Sequence, residues 1–434
     1  MILFGYYMLL IRRFLGLTAY FFYLGFFSLN SKDLIVPVND ISSYIEYNID
    51  QNPSYDFDKY YIELRRRMTI EDRKNDFGLY SANLITHIKN TNNYRQDSSY
   101  ISDTTVSFFP NISFKKMGGN VHVDSFLGFE KSFSLRDIKE NNFFDFKSNF
   151  HFSYPSEGNI GNFKFSTDLG YFENTVVLSD ANGFGQIIEI GNANMLSSFR
   201  YYLSDLFSIS TNLRFLNQEI DSDYFTDIQS DSIDVLCLLS LSENLNLGFG
   251  HGVKSVDLNE KIDLEPADSF ENSTFILFEN RRTSYFGYVG EFGYKNRRYD
   301  SPSTFKNIHD PYSTLFFYYK PVEGNEIKFK ISKKYGSNLA NNSIESEEIM
   351  GLFQNKLGKR MVASADFLIQ NKTYYNASKY REDDIRSIGT SLVYNWAKHR
   401  SYIRTFLNYG NIDSNIDSAN SDFYTIGFTL YLTY

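Results

Sequence analysis

The last segment of the chain constrains its fold more than any other feature. In residues 424–434, large apolar side chains occupy every second position, and most of the positions between them are threonine or glycine. A period of two places these two sets on opposite faces of a β-strand. The sequence therefore predicts a final strand with one apolar face, formed by Ile426, Phe428, Leu430, Leu432 and Tyr434.

Hydropathy restricts where such a face can lie. The chain is 42% hydrophobic and 18% aromatic, yet its mean hydropathy is -0.36. A membrane helix needs about 20 consecutive apolar residues, and no such run follows residue 30. A barrel strand needs only about 9 to 11 residues with apolar groups at alternate positions. A membrane protein of this composition is expected to be a β-barrel; the soluble alternatives are a β-sandwich and a propeller.

Strand-like segments recur along the chain, separated by two kinds of break that alternate. Short breaks, such as 242–244 and 358–360, take turns with longer polar breaks, such as 174–186 and 258–269. Short turns on one side and long loops on the other are typical of outer-membrane barrels. The pattern predicts an all-β, transmembrane, antiparallel up-and-down barrel of about 20 strands, with 16 or 18 as alternatives. Both ends are expected on the periplasmic side.

The amino terminus predicts export. Arg12 and Arg13 precede an apolar stretch over 14–27, and residues 28–31 lead into polar sequence. This is the layout of a secretory signal peptide, with an uncleaved membrane anchor as the alternative. We therefore expect a signal peptide at 1–31 and an outer-membrane barrel at 32–434.

The final strand also predicts the partners of the chain. Alternating apolar residues that end in the aromatic Tyr434 form the pattern read by the barrel-assembly machinery. Ile426, Phe428, Leu430 and Leu432 complete this insertion signal. We expect the cell outer membrane as the location and its lipid as the partner of the apolar face.

Charged residues fall mainly on the strand face opposite the apolar one. A charge that faces lipid at mid-depth costs about 2 to 4 kcal/mol, so the lumen is the favourable place for these groups. Two interpretations are open: a conduit whose charges steer solutes, and opposite charges that pair to brace the wall. The predicted lumen-lining residues are Glu63, Arg65, Arg67, Asp124, Asp168, Arg200, Arg214, Asp234, Glu291, Lys328, Lys330, Asp366, Arg386 and Arg404.

Several other classes of function are disfavoured. The net charge is -9, from 43 Lys and Arg against 52 Asp and Glu, without a basic block suited to nucleic acid. A single cysteine, Cys237, excludes an internal disulfide. The six histidines are scattered, and none lies in a catalytic or metal-binding motif. We expect no enzymatic activity, no metal and no cofactor.

Residues near the carboxyl end resemble those of a known family. Arg381 and Asp384 open one strand, and Tyr409 and a loop over 413–415 precede the final aromatic strand from Phe423. Over about the last fifty residues the chain is similar to the putative β-barrel porin family that is often found beside exopolysaccharide genes. The resemblance implies a pore associated with polysaccharide.

These observations predict a porin-like outer-membrane channel for small hydrophilic solutes or for export of a polysaccharide. The alternative is a structural or adhesive barrel with a blocked lumen and ligand-binding outer loops. A barrel enzyme ranks third. The oligomeric state is not legible in the sequence.

Overall fold

A computed structural model places the described strands in a single closed antiparallel β-sheet. The structure describes residues 76–92, 102–118, 121–135, 143–154, 163–179, 185–221, 227–242, 245–258, 268–280, 286–300, 307–322, 325–337, 343–358, 360–375, 380–397 and 401–433. The predicted signal peptide, Glu63, Arg65, Arg67 and Tyr434 lie outside these residues. The strands are β1 (Asp76–Thr91), β2 (Asp103–Gly118), β3 (Val121–Ser134), β4 (Phe144–Tyr154), β5 (Phe163–Ser179), β6 (Gly185–Tyr202), β7 (Phe207–Ile220), β8 (Ile228–Ser242), β9 (Leu245–Leu258), β10 (Ser269–Asn280), β11 (Phe286–Tyr299), β12 (Ile308–Val322), β13 (Asn325–Ser337), β14 (Ser343–Lys356), β15 (Met361–Tyr375), β16 (Tyr380–Ala397), β17 (Ser401–Ser414) and β18 (Ser421–Thr433).

The ring closes because the first and last described strands pair with each other. Each strand hydrogen-bonds to its sequence neighbours, and β1 also pairs with β18, from Asn83 opposite Thr433 to Thr91 opposite Thr425. Side chains reinforce this closing seam: the Tyr431 hydroxyl donates to Asn83 Oδ1 over 2.9 Å. Both edges of β1 are therefore occupied, by β2 and by β18.

This closure corrects the predicted strand number. The described residues form an 18-stranded ring, which was one of the alternatives, whereas the main prediction was about 20. The two additional strands were predicted before residue 71, where the residues alternate in a similar way. Alternation is a local signal, but closure depends on which distant strand pairs with β18, and β1 takes that place.

The connections alternate in length as the sequence predicts. On one side of the ring β8 ends at 242 and β9 begins at 245, and β12 ends at 322 and β13 begins at 325; on the other side the separations are longer, from 91 to 103 and from 258 to 269. The connection from β17 to β18 contains a short 3-10 helix at Asp417–Ala419. Within the described ranges, no helix is long and apolar enough to cross a bilayer.

Successive residues of each strand face opposite sides of the ring. On β18, Tyr424 and Ile426 are 39% and 38% exposed, whereas their neighbours Phe423 and Thr425 are 2% and 8% exposed. Phe428, Leu430 and Leu432 continue the more exposed face, which also carries Phe249 and Ile388 on other strands. The more exposed, apolar face is the outer wall, and the more buried face is the inner wall.

Candidate functional site

The inner wall carries most of the charged residues that the sequence predicted for the lumen. Residues directly opposite one another in an antiparallel sheet share a face, so the strand register assigns the wall of each position. The predicted residues that lie on the inner wall are Asp124, Asp168, Arg200, Arg214, Asp234, Glu291, Lys328, Lys330, Asp366 and Arg404. Whether a solute touches any of them stays a prediction.

Arg386 lies on the outer wall, so its prediction as a lumen residue is wrong. It is exposed and pairs with Ile369 of β15, a residue that is 49% exposed among the outer apolar side chains. On its other side it pairs with Asn411, and Asp384, two positions before it, receives a hydrogen bond from Asn371 over 2.9 Å. The outer wall is polar at this level, so the charged side chain of Arg386 can lie there without facing apolar neighbours on every side.

One cluster of inner-wall charges lies on β3, β4 and β5. Asp124, His151 and Asp168 follow one another across these strands in direct register. His151 Nδ1 lies 2.7 Å from Asp168 Oδ1, and the carboxylate-bearing side chain of Asp168 is 38% exposed. Nearby, Lys147 Nζ lies 2.7 Å from Glu130 Oε2. Within this cluster, the Asp168 carboxylate is paired and still accessible, whereas Asp124 is buried.

A second cluster, on β10 and β11, is more deeply buried. Glu271 accepts hydrogen bonds from Arg297 Nε over 2.9 Å and Nη2 over 2.6 Å, and Lys295 Nζ lies 2.7 Å from its other oxygen. The side chains of Arg297 and Glu271 are only 2% and 7% exposed. Lys254 lies directly opposite Glu271 on β9. A single carboxylate therefore balances several cations inside the wall.

The third cluster contains the predicted lysines of β13. Lys330 Nζ lies 2.6 Å from Glu348 Oε1 on β14, and Lys328 Nζ lies 3.2 Å from Glu326 Oε1. Lys320 of β12 shares Glu326 at 3.4 Å. These contacts agree with the interpretation that charges brace the wall, and they leave the lysine side chains of β13 partly exposed.

The sequence analysis missed several of the residues that make these contacts. Glu271, Arg297, Glu326 and Glu348 are inner-wall partners that were not predicted. Strict alternation could have assigned Arg297 to the inner wall, because it lies an even number of positions from the predicted Glu291 on the same strand. Which cation meets which carboxylate depends on the register between strands, and the alternation within one strand does not fix its offset against the next.

The outer wall carries the features that determine its surroundings. Exposed Leu, Ile and Phe side chains cover it, and tyrosines lie toward the end that bears the longer connections of β15–β18. Tyr375 and Tyr380 donate hydrogen bonds of 2.9 Å to Glu345 and Glu382. An apolar belt that ends in aromatic residues on a closed ring matches a lipid bilayer and its interface. The described residues therefore form a closed β-barrel whose outer wall suits a lipid bilayer.

Metal-ligand geometry is not found on the described parts of either wall. Among these residues, no group of three or more His, Cys, Asp or Glu side chains could hold a metal ion. His122 and His151 come close, with ring centroids 5.3 Å apart, but the cluster on β3–β5 does not converge on a common point.

Comparisons with known proteins give a likeness of shape. No protein-family model and no curated protein sequence matches the chain. The vanillate-bound crystal structure of OpdK from Pseudomonas aeruginosa aligns with 10% identity and a TM-score of 0.44, over 82% of this chain and 98% of OpdK. OccAB4 of Acinetobacter baumannii aligns with 10% identity and a TM-score of 0.47, over 83% and 99% of the two chains. OpdQ of P. aeruginosa aligns with 8% identity and a TM-score of 0.46, over 83% and 99%. The resemblance to the exopolysaccharide-associated porin family stays a prediction.

Proposed function

We propose that the protein is a passive outer-membrane channel for small hydrophilic solutes. The observation that carries this proposal is the contrast between the two walls of one closed 18-stranded ring. The outer wall exposes apolar side chains, and the inner wall carries paired charges such as Lys147 with Glu130 and Lys330 with Glu348. Charges arranged this way suit a water-filled interior.

Ring size supports a bore rather than a filled core. Barrels of about 8 strands are filled by their own side chains, whereas barrels of about 16 to 18 strands leave an aqueous channel. Inner-wall cations contact carboxylates on the same or neighbouring strands, as Lys328 and Lys320 contact Glu326. Such contacts hold side chains along the wall instead of across the lumen.

Both signs of charge on the inner wall favour solutes that are polar rather than strongly charged. The cluster on β3–β5 places Asp124 and Asp168 beside His151, and the clusters on β10–β14 place cations beside glutamates. Export of a polysaccharide is the second proposed use of the same bore. It rests on the family resemblance of the last fifty residues and on no contact within the barrel.

Conductance of the refolded protein in a planar lipid bilayer tests the proposal. We expect ohmic single-channel steps in potassium chloride. A membrane that stays sealed at all voltages, with correctly folded protein present, would overturn the proposal and favour a structural or adhesive barrel.

Vesicle permeability distinguishes transport of small hydrophilic solutes from export of a polysaccharide. Vesicles that contain the protein are placed in solutions of neutral sugars of increasing size, from monosaccharides to long glucans. Uptake that stops at oligosaccharides supports the small-solute channel. Passage of long glucans at comparable rates supports polysaccharide export.

A further inference from the structure

Aromatic rings of the inner wall lie directly against glycines on the neighbouring strand. Phe406 of β17 is opposite Gly427 of β18, and Phe275 of β10 is opposite Gly250 of β9. In both pairs the Cζ atom and both Cε atoms of the ring occupy the space that a Cβ at the glycine would fill. Each ring therefore covers the backbone of its neighbouring strand.

Burial supports the same arrangement. Phe406 and Phe275 are 4% and 9% exposed, although both belong to the wall that faces the lumen. Outer-wall phenylalanines such as Phe249 and Phe292 are 59% and 48% exposed. A ring that projected into a wide bore would be exposed in a similar way, so the inner rings are folded down onto the sheet.

The two pairs lie on opposite sides of the ring. In the order of the closed sheet, β9 and β18 are nine strands apart, which is half of the 18-stranded circumference. Phe406 and Gly427 are near the middle of β17 and β18, and Phe275 is near the middle of β10. The rings therefore flank the bore at a similar depth.

The ring of Phe406 also supports a charge. The guanidinium carbon of Arg404 lies 5.0 Å from the centre of that ring, so the ring is held between the Gly427 backbone and this cation. A ring that moves away from the wall must displace Arg404 with it. Gly427 thereby controls the position of one aromatic and one charged group.

We propose that Gly427 and Gly250 set the width of the bore by giving Phe406 and Phe275 a place to lie flat against the wall. A side chain at either glycine forces the opposing ring off the sheet, and the space available to that ring is the lumen. This inference rests on the proposed channel function and assigns these glycines as positioning residues for its conductance.

The test is single-channel conductance of Gly427→Ala, Gly250→Ala and the double variant, each refolded as the full chain. We expect each single variant to conduct less than wild type, and the double variant to fall about two-fold or more, because pore width and wall charge govern conduction. The matched control is Gly290→Ala. Gly290 lies opposite Phe278 with the same three ring atoms in the space of its Cβ, but this pair is on the outer wall. It is expected to conduct like wild type.

A rescue variant separates a lifted ring from a general folding defect. Phe406→Ala removes the ring, so Gly427→Ala combined with Phe406→Ala is expected to regain the wild-type conductance and the wild-type yield of folded barrel. Phe406→Ala alone is expected not to raise conductance, since the ring already lies outside the bore. An increase in conductance for Phe406→Ala would overturn the proposal, even if Gly427→Ala fails to fold.

The outcomes for the two proposals are distinct. A wild-type protein that does not conduct contradicts the channel function itself. A conducting wild type together with folded Gly427→Ala and Gly250→Ala variants of unchanged conductance contradicts only the role of the glycines.

Discussion

Two ion pairs of the inner wall, on separate parts of the barrel, differ in how far they are buried. Arg297 and Glu271 on β10–β11 are 2% and 7% exposed, and Lys295 contacts the same carboxylate. His151 and Asp168 on β4–β5 are 18% and 38% exposed. Both pairs join neighbouring strands, but only the second presents a carboxylate to water.

The difference in burial separates bracing from steering. A buried charge that loses its partner keeps the cost of its removal from water, so removing Glu271 alone is expected to destabilise the wall, and its low exposure leaves it little contact with solutes. An exposed pair contributes little to stability, but its charge is felt by ions in the lumen. We therefore expect charges to brace the wall at β10–β11 and to steer solutes at β4–β5.

The largest effect is expected from Glu271→Gln. This variant keeps the shape of the side chain but leaves Arg297, Lys295 and the opposing Lys254 without their shared carboxylate. We expect a loss of about 3 kcal/mol in the free energy of unfolding, measured by urea denaturation in detergent micelles. The control replaces Glu271 and Arg297 together with methionine, which is expected to recover part of the loss. A Glu271→Gln variant as stable as wild type would show that the buried pair does not brace the wall.

The next largest effect is expected on the outer wall, which is the face opposite the one that carries both ion pairs. Leu430→Arg places a charge on the apolar face of β18, where a cation near mid-depth costs about 2 to 4 kcal/mol. We expect a lower yield of folded barrel in vesicles and a lower urea midpoint. Leu430→Phe is the matched control and is expected to fold normally. Normal folding of Leu430→Arg would place this face outside the hydrocarbon region.

Asp168→Asn is expected to change selectivity more than stability. The substitution removes a negative charge from the accessible side of the inner wall, so the reversal potential in a potassium chloride gradient should move toward anions. Stability should change by less than about 1 kcal/mol, since the pair is partly exposed. If instead the barrel is strongly destabilised and selectivity is unchanged, the distinction between the two ion pairs fails.

The smallest effect is expected from Arg386→Gln. Arg386 lies on the outer wall between Ile369 and Asn411, so its charge should not reach ions in the lumen. Conductance and reversal potential should equal those of wild type under conditions in which Asp168→Asn shifts them. A selectivity change of similar size in both variants would show that the charge of Arg386 reaches the lumen after all.

Much of the architecture could be predicted because it depends on alternation. The apolar face of Ile426, Phe428 and Leu430 was predicted from parity alone, and the long and short connections follow from turn composition. Arg386 shows where this reasoning failed. Arg386 lies two positions from Ile388 and therefore on the same face, yet it was assigned to the lumen because a charge in lipid is costly. The structure shows that the outer wall is polar where Arg386 lies, next to Asn411.

The details of the candidate site could not be predicted, because they depend on register. The contact of Glu271 with Arg297 requires β10 and β11 to align at a particular offset, and the placement of Phe406 on Gly427 requires the same for β17 and β18. A shift of one residue would place these side chains on the outer wall. Periodicity excludes such one-residue shifts, but it does not distinguish between offsets that differ by two residues.

The seam between β1 and β18 has a consequence for assembly. His87 of β1 contacts Thr429 of β18 over 2.9 Å, although 342 positions separate them in the chain. β1 is synthesised before the other described strands but cannot pair with its second neighbour until β18 has been made, so one of its edges stays without a strand partner until then. Long-range pairing of this kind is slow and exposes the chain to aggregation. A chain that stops before β18 would therefore retain two open edges.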